Sequence, residues 1–282
     1  NVAAEYVDRI SKGDLPPKIT DKYNGDFNEI KNNLNTCIDA INALVADANI
    51  LSHAAVEGKL DTRADASKHG GDFRKIVEGV NNTLDAVIGP LNVAAEYVDR
   101  ISKGDLPPKI TDKYNGDFNE IKNNLNTCID AINALVGDAN ILVKAAVEGR
   151  LDTRADASKH GGDYRKIVEG VNETLDAVIG PLNVAAEYVD RISKGNIPPR
   201  ITDKYNGDFN EIKNNLNTCI DAINALVTDT NILSQAAVEG KLDTRADISK
   251  HGGDFRKIVE GVNNTLDAVI GPLNVAAEYV DR

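Results

Sequence analysis

The chain is 282 residues long, with a net charge of −12, no Trp, no Met and 5% aromatic residues. That sign repels phosphate backbones and anionic lipid, which excludes nucleic-acid and membrane-surface binding. The apolar content sits in Ala, Val, Ile and Leu, and its uninterrupted runs are only a few residues long, as at 43–46, which excludes a membrane-crossing segment and suits narrow helical seams rather than one broad core.

Taken in order, the chain opens on the helical segment NVAAEYVDR and reaches its first connector at Gly13. In Gly13-Asp14-Leu15-Pro16-Pro17-Lys18-Ile19 two apolar residues, Leu15 and Ile19, flank a Pro-Pro pair that stiffens an extended path, and both are expected to dock on the helices. Residues 13–25 could span roughly 40 Å if extended. A unit helix of about 16 residues covers only about 24 Å. The connector can therefore run back along a helix, which makes its two flanking helices parallel; an antiparallel hairpin would need only a short turn.

Next, Phe27, Ile30, Leu34, Cys37, Ile41, Leu44, Ala48, Leu51 and Ala55 form a stripe of alternating three- and four-residue steps, which predicts one helix from Asp26 to Glu57. Asp26 reads as its N-cap, with Glu29 placed as in a capping box. Gly58 reads as its C-terminal stop. A second connector follows with Gly58, Leu60 and the smaller Ala64. The next helix, about Asp72 to Lys103, carries Phe73, Ile76, Val80, Leu84, Val87, Leu91, Ala94, Val98 and Ile101. Its two consecutive four-residue steps are a stutter that locally unwinds a left-handed supercoil. Gly89-Pro90 predicts a bend or a helix re-start.

From Asn92 the pattern starts again. NVAAEYVDR recurs at Asn92, Asn183 and Asn274, a period of 91, and the three copies differ at 11 of 91 positions. A weaker half-period pairs Gly25-Asp26-Phe27 with Gly71-Asp72-Phe73 and Leu34-Asn35 with Val80-Asn81. The expected units are 1–45, 46–91, 92–136, 137–182, 183–227 and 228–273, with 274–282 opening a further one. In the later copies Gly104, Leu106, Ile110 and Asp117, then Gly195, Ile197, Ile201 and Asp208, take the places of Gly13, Leu15, Ile19 and Asp26. The chain starts without Met and both starts and stops inside a repeat, so it is expected to be part of a longer protein.

Two helices with one narrow stripe each cannot enclose a core. The expected fold is therefore all-α: an elongated rod of stacked parallel four-helix coiled-coil layers formed by a homodimer, each unit being helix, connector, helix. The partner is a second copy of the chain. Cys37, Cys128 and Cys219 sit in the seam and read as small buried apolar side chains in a reducing compartment, not a disulfide framework.

No enzyme chemistry stands out. His53 is Lys144 and Gln235 in the other copies, which marks a surface position. His69, His160 and His251 stand one to a loop, without the spaced partners a metal needs, and are expected to be solvated. Asp21 to Asp26 resembles a calcium loop only faintly, because Tyr23 and Gly25 occupy ligand positions and no Glu follows. No Ser or Cys nucleophile lies beside a His, and no phosphate-binding glycine loop is present. No catalytic residue, metal, cofactor or small-molecule ligand is expected.

The joint spacing resembles the HAMP domain, a linker of bacterial chemoreceptors, sensor kinases and cyclases. Pro90, Pro181 and Pro272 sit where that family opens its first helix with Pro. Gly104-Asp105-Leu106 with Ile110 matches its connector. Gly116-Asp117-Phe118-Asn119, followed by Leu125-Asn126, lies where the family has Asp-Glu-x-Gly and then Phe-Asn. Gly25 replaces the family's leading acid and Asn28 its glycine. The alternate units, around Gly58, Gly149 and Gly240, lack the Pro and carry Ala64, Ala155 or Ala246 as second anchor, so the two unit types are inequivalent. The resemblance implies a relay that passes a conformational signal between adjoining sensor and output domains, in the cytoplasmic part of a receptor. The competing expectation is a structural spacer or filament-forming rod, a role in which near-identical repeats need carry no new information.

Overall fold

A computed structural model of the chain describes residues 2–280. Among them are seven α-helices, three short 3-10 turns and no strand. The helices are α1 (Val2–Ser11), α2 (Asp26–Val56), α3 (Gly71–Ser102), α4 (Gly116–Val147), α5 (Gly162–Ser193), α6 (Gly207–Val238) and α7 (Gly253–Val280). The chain divides into two compact units, Asn1–Ala134 and Leu135–Arg282, with the division inside α4. Each consists of long helices joined by irregular connectors, as the sequence implies.

In the first unit α1 packs on α2 and α2 on α3. The starts of α1 and α2 lie together: Val2 and Ala3 line one groove with Phe27, Ile30 and Leu34. Pro90, Val93 and Ala94 of α3 line an equivalent groove with Phe118, Ile121 and Leu125 of α4. The flanking helices are thus parallel, and each connector runs back between them. In the second unit α5 packs on α6 and α6 on α7, and Pro181, Val184 and Ala185 share a groove with Phe209, Ile212 and Leu216.

Helices stop where glycine allows it. At the end of α1, Gly13 has φ 78°, its N–H donates to Ile10 O, and the Asp14 N–H reaches back to Arg9 O at 3.0 Å. These two bonds form a Schellman motif, whose left-handed residue is most cheaply glycine. Gly58, Gly104, Gly149, Gly195 and Gly240 repeat it.

Helix starts depart from expectation. Asp26 is not the N-cap of α2: that place belongs to Gly25 (φ 54°, ψ −139°), with no side-chain cap bond. Asp26 is instead the first helical residue. Asp72, Asp117 and Asp208 likewise sit in the first turns of α3, α4 and α6, where a carboxylate meets the positive end of the helix dipole. The strained Gly25 conformation explains why glycine, not an acid, precedes Asp26.

Pro90, Pro181 and Pro272 lie inside α3, α5 and α7, and none of these helices re-starts there. Proline at 90 removes the donor for the Ala86 carbonyl. Ala86 is exposed, so water can take that bond, while Ile88 beside it is buried and anchors the helix.

Candidate functional site: the clamped connectors

The buried residues fall on a face the heptad stripe does not use. Ile38 is 1% exposed and Val77 is 3% exposed, and Ile88 and Ala54 are also buried. The stripe residues Ile30 (45%), Ile76 (50%) and Val87 (41%) are exposed, and Cys37 and Cys219 are exposed with them. One face of each helix therefore lies under a connector, and the adjacent apolar face is uncovered.

The connector is fixed to the buried face by an asparagine. Ile19 N–H donates to Asn35 Oδ1 at 2.8 Å, and Asn35 Nδ2 donates to Ile19 O at 3.0 Å. Asn126 holds Ile110 and Asn217 holds Ile201 in the same way. In the alternate connectors Asn81, Asn172 and Asn263 hold Ala64, Ala155 and Ala246. A carboxamide is suited to this, because it offers an acceptor and a donor side by side to one extended residue. These six asparagines were visible in the sequence only as a repeated Leu-Asn or Val-Asn pair.

Of the expected apolar anchors, Ile19, Ile110 and Ile201 are buried, while Leu15, Leu106 and Ile197 are half-buried. Pro16, Pro107 and Pro198 between them are the more deeply enclosed. Leu60 is exposed, so the alternate connectors lean on other ties. Arg63 supplies one. Its guanidinium donates to the Leu60 and Thr62 carbonyls and pairs with Asp85 of α3 at 2.7 Å. Arg154 with Asp176 and Arg245 with Asp267 repeat the arrangement.

The loop histidines are not solvated, contrary to expectation. His69 Nε2 lies 2.7 Å from Asp47 Oδ2, and its side chain is 2% exposed. His160 with Asp138 and His251 with Asp229 do the same at 2.6 Å. Each histidine follows a 3-10 turn whose start, Asp65, accepts from the Ser67 backbone N–H and hydroxyl. Those bonds hold the Asp65 carboxyl below its ordinary pKa, as the matching ones do at Asp156 and Asp247. The partner of His69 is 22 residues away on another element, which is why no local motif announced it.

At the other connector type Arg9 Nε donates to Asp14 Oδ2 at 2.7 Å. That bond lowers the Asp14 pKa and raises that of Arg9. Arg100 and Asp105 repeat it, and Asn196 replaces the acid in the third copy.

Among the described residues no group of three or more His, Cys, Asp or Glu is placed to hold a metal. No helix there is long and apolar enough to cross a membrane. What the arrangement offers is mechanical: α2 is tied to one connector through Asn35 and to the next through Asp47, so one helix couples two connectors.

Comparison with known proteins gives one family. A HAMP domain family model matches residues 1–43, 68–134, 159–225 and 250–282, about three quarters of the chain. The unmatched stretches, 44–67, 135–158 and 226–249, hold the ends of α2, α4 and α6 and most of each alternate connector. No solved structure matches the chain.

Proposed function

The chain belongs to the HAMP domain family, whose members are non-catalytic signal-relay modules of bacterial receptors and kinases, and from that membership we propose that it is a relay array. It passes a change of helix packing between a sensor or transmembrane region and an output domain of a chemotaxis or two-component receptor, on the cytoplasmic side. The proposed units are the six of the repeat, 1–45 through 228–273, meeting in mid-helix. Leu15, Leu60, Leu106 and Ile197 act with the buried anchors to couple connector to helix.

The observation that carries this reading is the uncovered stripe. Exposed Ile30, Ile76 and Val87, beside a helix face already closed by a clamped connector, need a covering partner. A parallel second copy supplies it, bringing stripe against stripe and closing a four-helix layer. Such a layer can take two packings of similar energy, each biased by its neighbours. A spacer reading has one favouring observation, the near-identity of the copies, but a spacer has no use for two chemically different connector types.

Sedimentation of the isolated chain is the test. Twice the 30.3 kDa chain mass is expected. A variant keeping only Cys37 should crosslink to itself on mild oxidation, slowly if the equivalent helices sit across the layer diagonal. A monomer, or crosslinking that needs Cys37 and Cys219 together, would overturn the parallel arrangement.

A further inference from the structure

The two connector types meet their first helix at equivalent positions with different chemistry. Gly58 aligns with Gly104, which sets Asp47 against Val93; Gly71 aligns with Gly116, which sets His69 against Tyr114. In the alternate type the pair is a hydrogen bond between a buried histidine and a part-buried carboxylate, His69 Nε2 to Asp47 Oδ2. In the other type Tyr114 and Val93 line one apolar groove, as do Tyr205 and Val184. All three His–Asp pairs and all three Tyr–Val pairs, Tyr23 with Val2 included, hold these places.

We propose that the pairs His69–Asp47, His160–Asp138 and His251–Asp229 are polar pins that hold each alternate connector and its two helices in a single register, leaving the Tyr-type connectors as the places where helices shift. An apolar contact is non-directional and survives sliding or rotation of a helix. A hydrogen bond is lost within a small displacement, and the buried histidine then stands unpaired. The same shear therefore costs more at a His–Asp connector than at a Tyr–Val one. Asn81 and Arg63 tie this connector to α3 much as Asn126 and Lys109 tie the Tyr-type connector to α4, so the His–Asp pair is what sets the two types apart. This deepens the relay reading and rests on it: the array becomes an alternation of stiff and compliant connectors, with movement collected at the compliant ones.

The test is amide hydrogen exchange on the full chain, comparing connectors within one molecule. The double variant Asp47→Val, His69→Tyr gives the first alternate connector the apolar pair of the other type. Exchange across 57–70 is expected to rise roughly tenfold, the effect of losing one hydrogen bond at a buried histidine, while 103–115 stays unchanged. Asp47→Asn, which keeps an acceptor at the same place, should stay near wild type. Helix content by circular dichroism identifies a variant that fails to fold, and His69→Gln then serves in its place. Unchanged exchange across 57–70 in a folded double variant overturns the pin. Local opening is read whether or not the array transmits anything, so a failed pin and a failed relay give separate results.

Discussion

At the scale of single residues, six asparagines decide where the connectors lie. Asn126→Leu would leave the Ile110 N–H and C=O without partners in a part-buried place. The expected loss is about 1–3 kcal/mol, read as faster exchange at Ile110 and a lower melting temperature. A second expectation concerns acid. Asp14 and Asp105 have depressed pKa values because Arg9 and Arg100 donate to them. Their contribution is fully present above the ordinary aspartate value and is lost as pH falls through the lowered one. Carboxyl NMR titration should find both below the usual range. Backbone shifts at 12–15 and 103–106 should then move at acid pH, with no matching change beside Asn196. The sequence made the glycines, the Ile anchors and the Leu-Asn pairs legible. It hid the histidine pins, because a side chain's burial depends on what a distant helix brings to it.

At the scale of elements, the helix bodies were written plainly in their apolar spacing, and their starts were not. Asp26 had the residue type of a cap, but the backbone turn before it is tight enough to need glycine at a positive φ. Gly116 has φ 52°, and a Cβ there would meet nothing within 4 Å. Gly116→Ala therefore carries backbone strain without a clash. About 1–2 kcal/mol is expected, confined to the start of α4 and measurable by comparing exchange in α4 and α6. The helix re-start expected at Pro90 does not occur, for a related reason. A lost hydrogen bond breaks a helix only if nothing replaces it, and exposed Ala86 leaves water to do so. The stripe of α3 was read correctly as apolar, but Val77 and Ile88, which the connector covers, lie beside it. A connector's footprint leaves no periodic mark of its own.

At the scale of the whole molecule, the all-helical fold is legible in the repeat of 91 residues and its apolar spacing. The inequivalence of the unit types was legible as Ala64 against Ile19. Its physical content, polar pins against apolar ones, needed the geometry. Because α2 and α6 each serve one connector with the first half and another with the second, no loop separates the repeat units that meet within them. Deleting one residue between Asn35 and Asp47 would turn one half of α2 against the other by about 100°. Asn35 could then still hold Ile19, but Asp47 would swing away from His69. Copying a whole 91-residue block keeps that phase. An array built this way gains or loses length only in complete paragraphs, never by a letter.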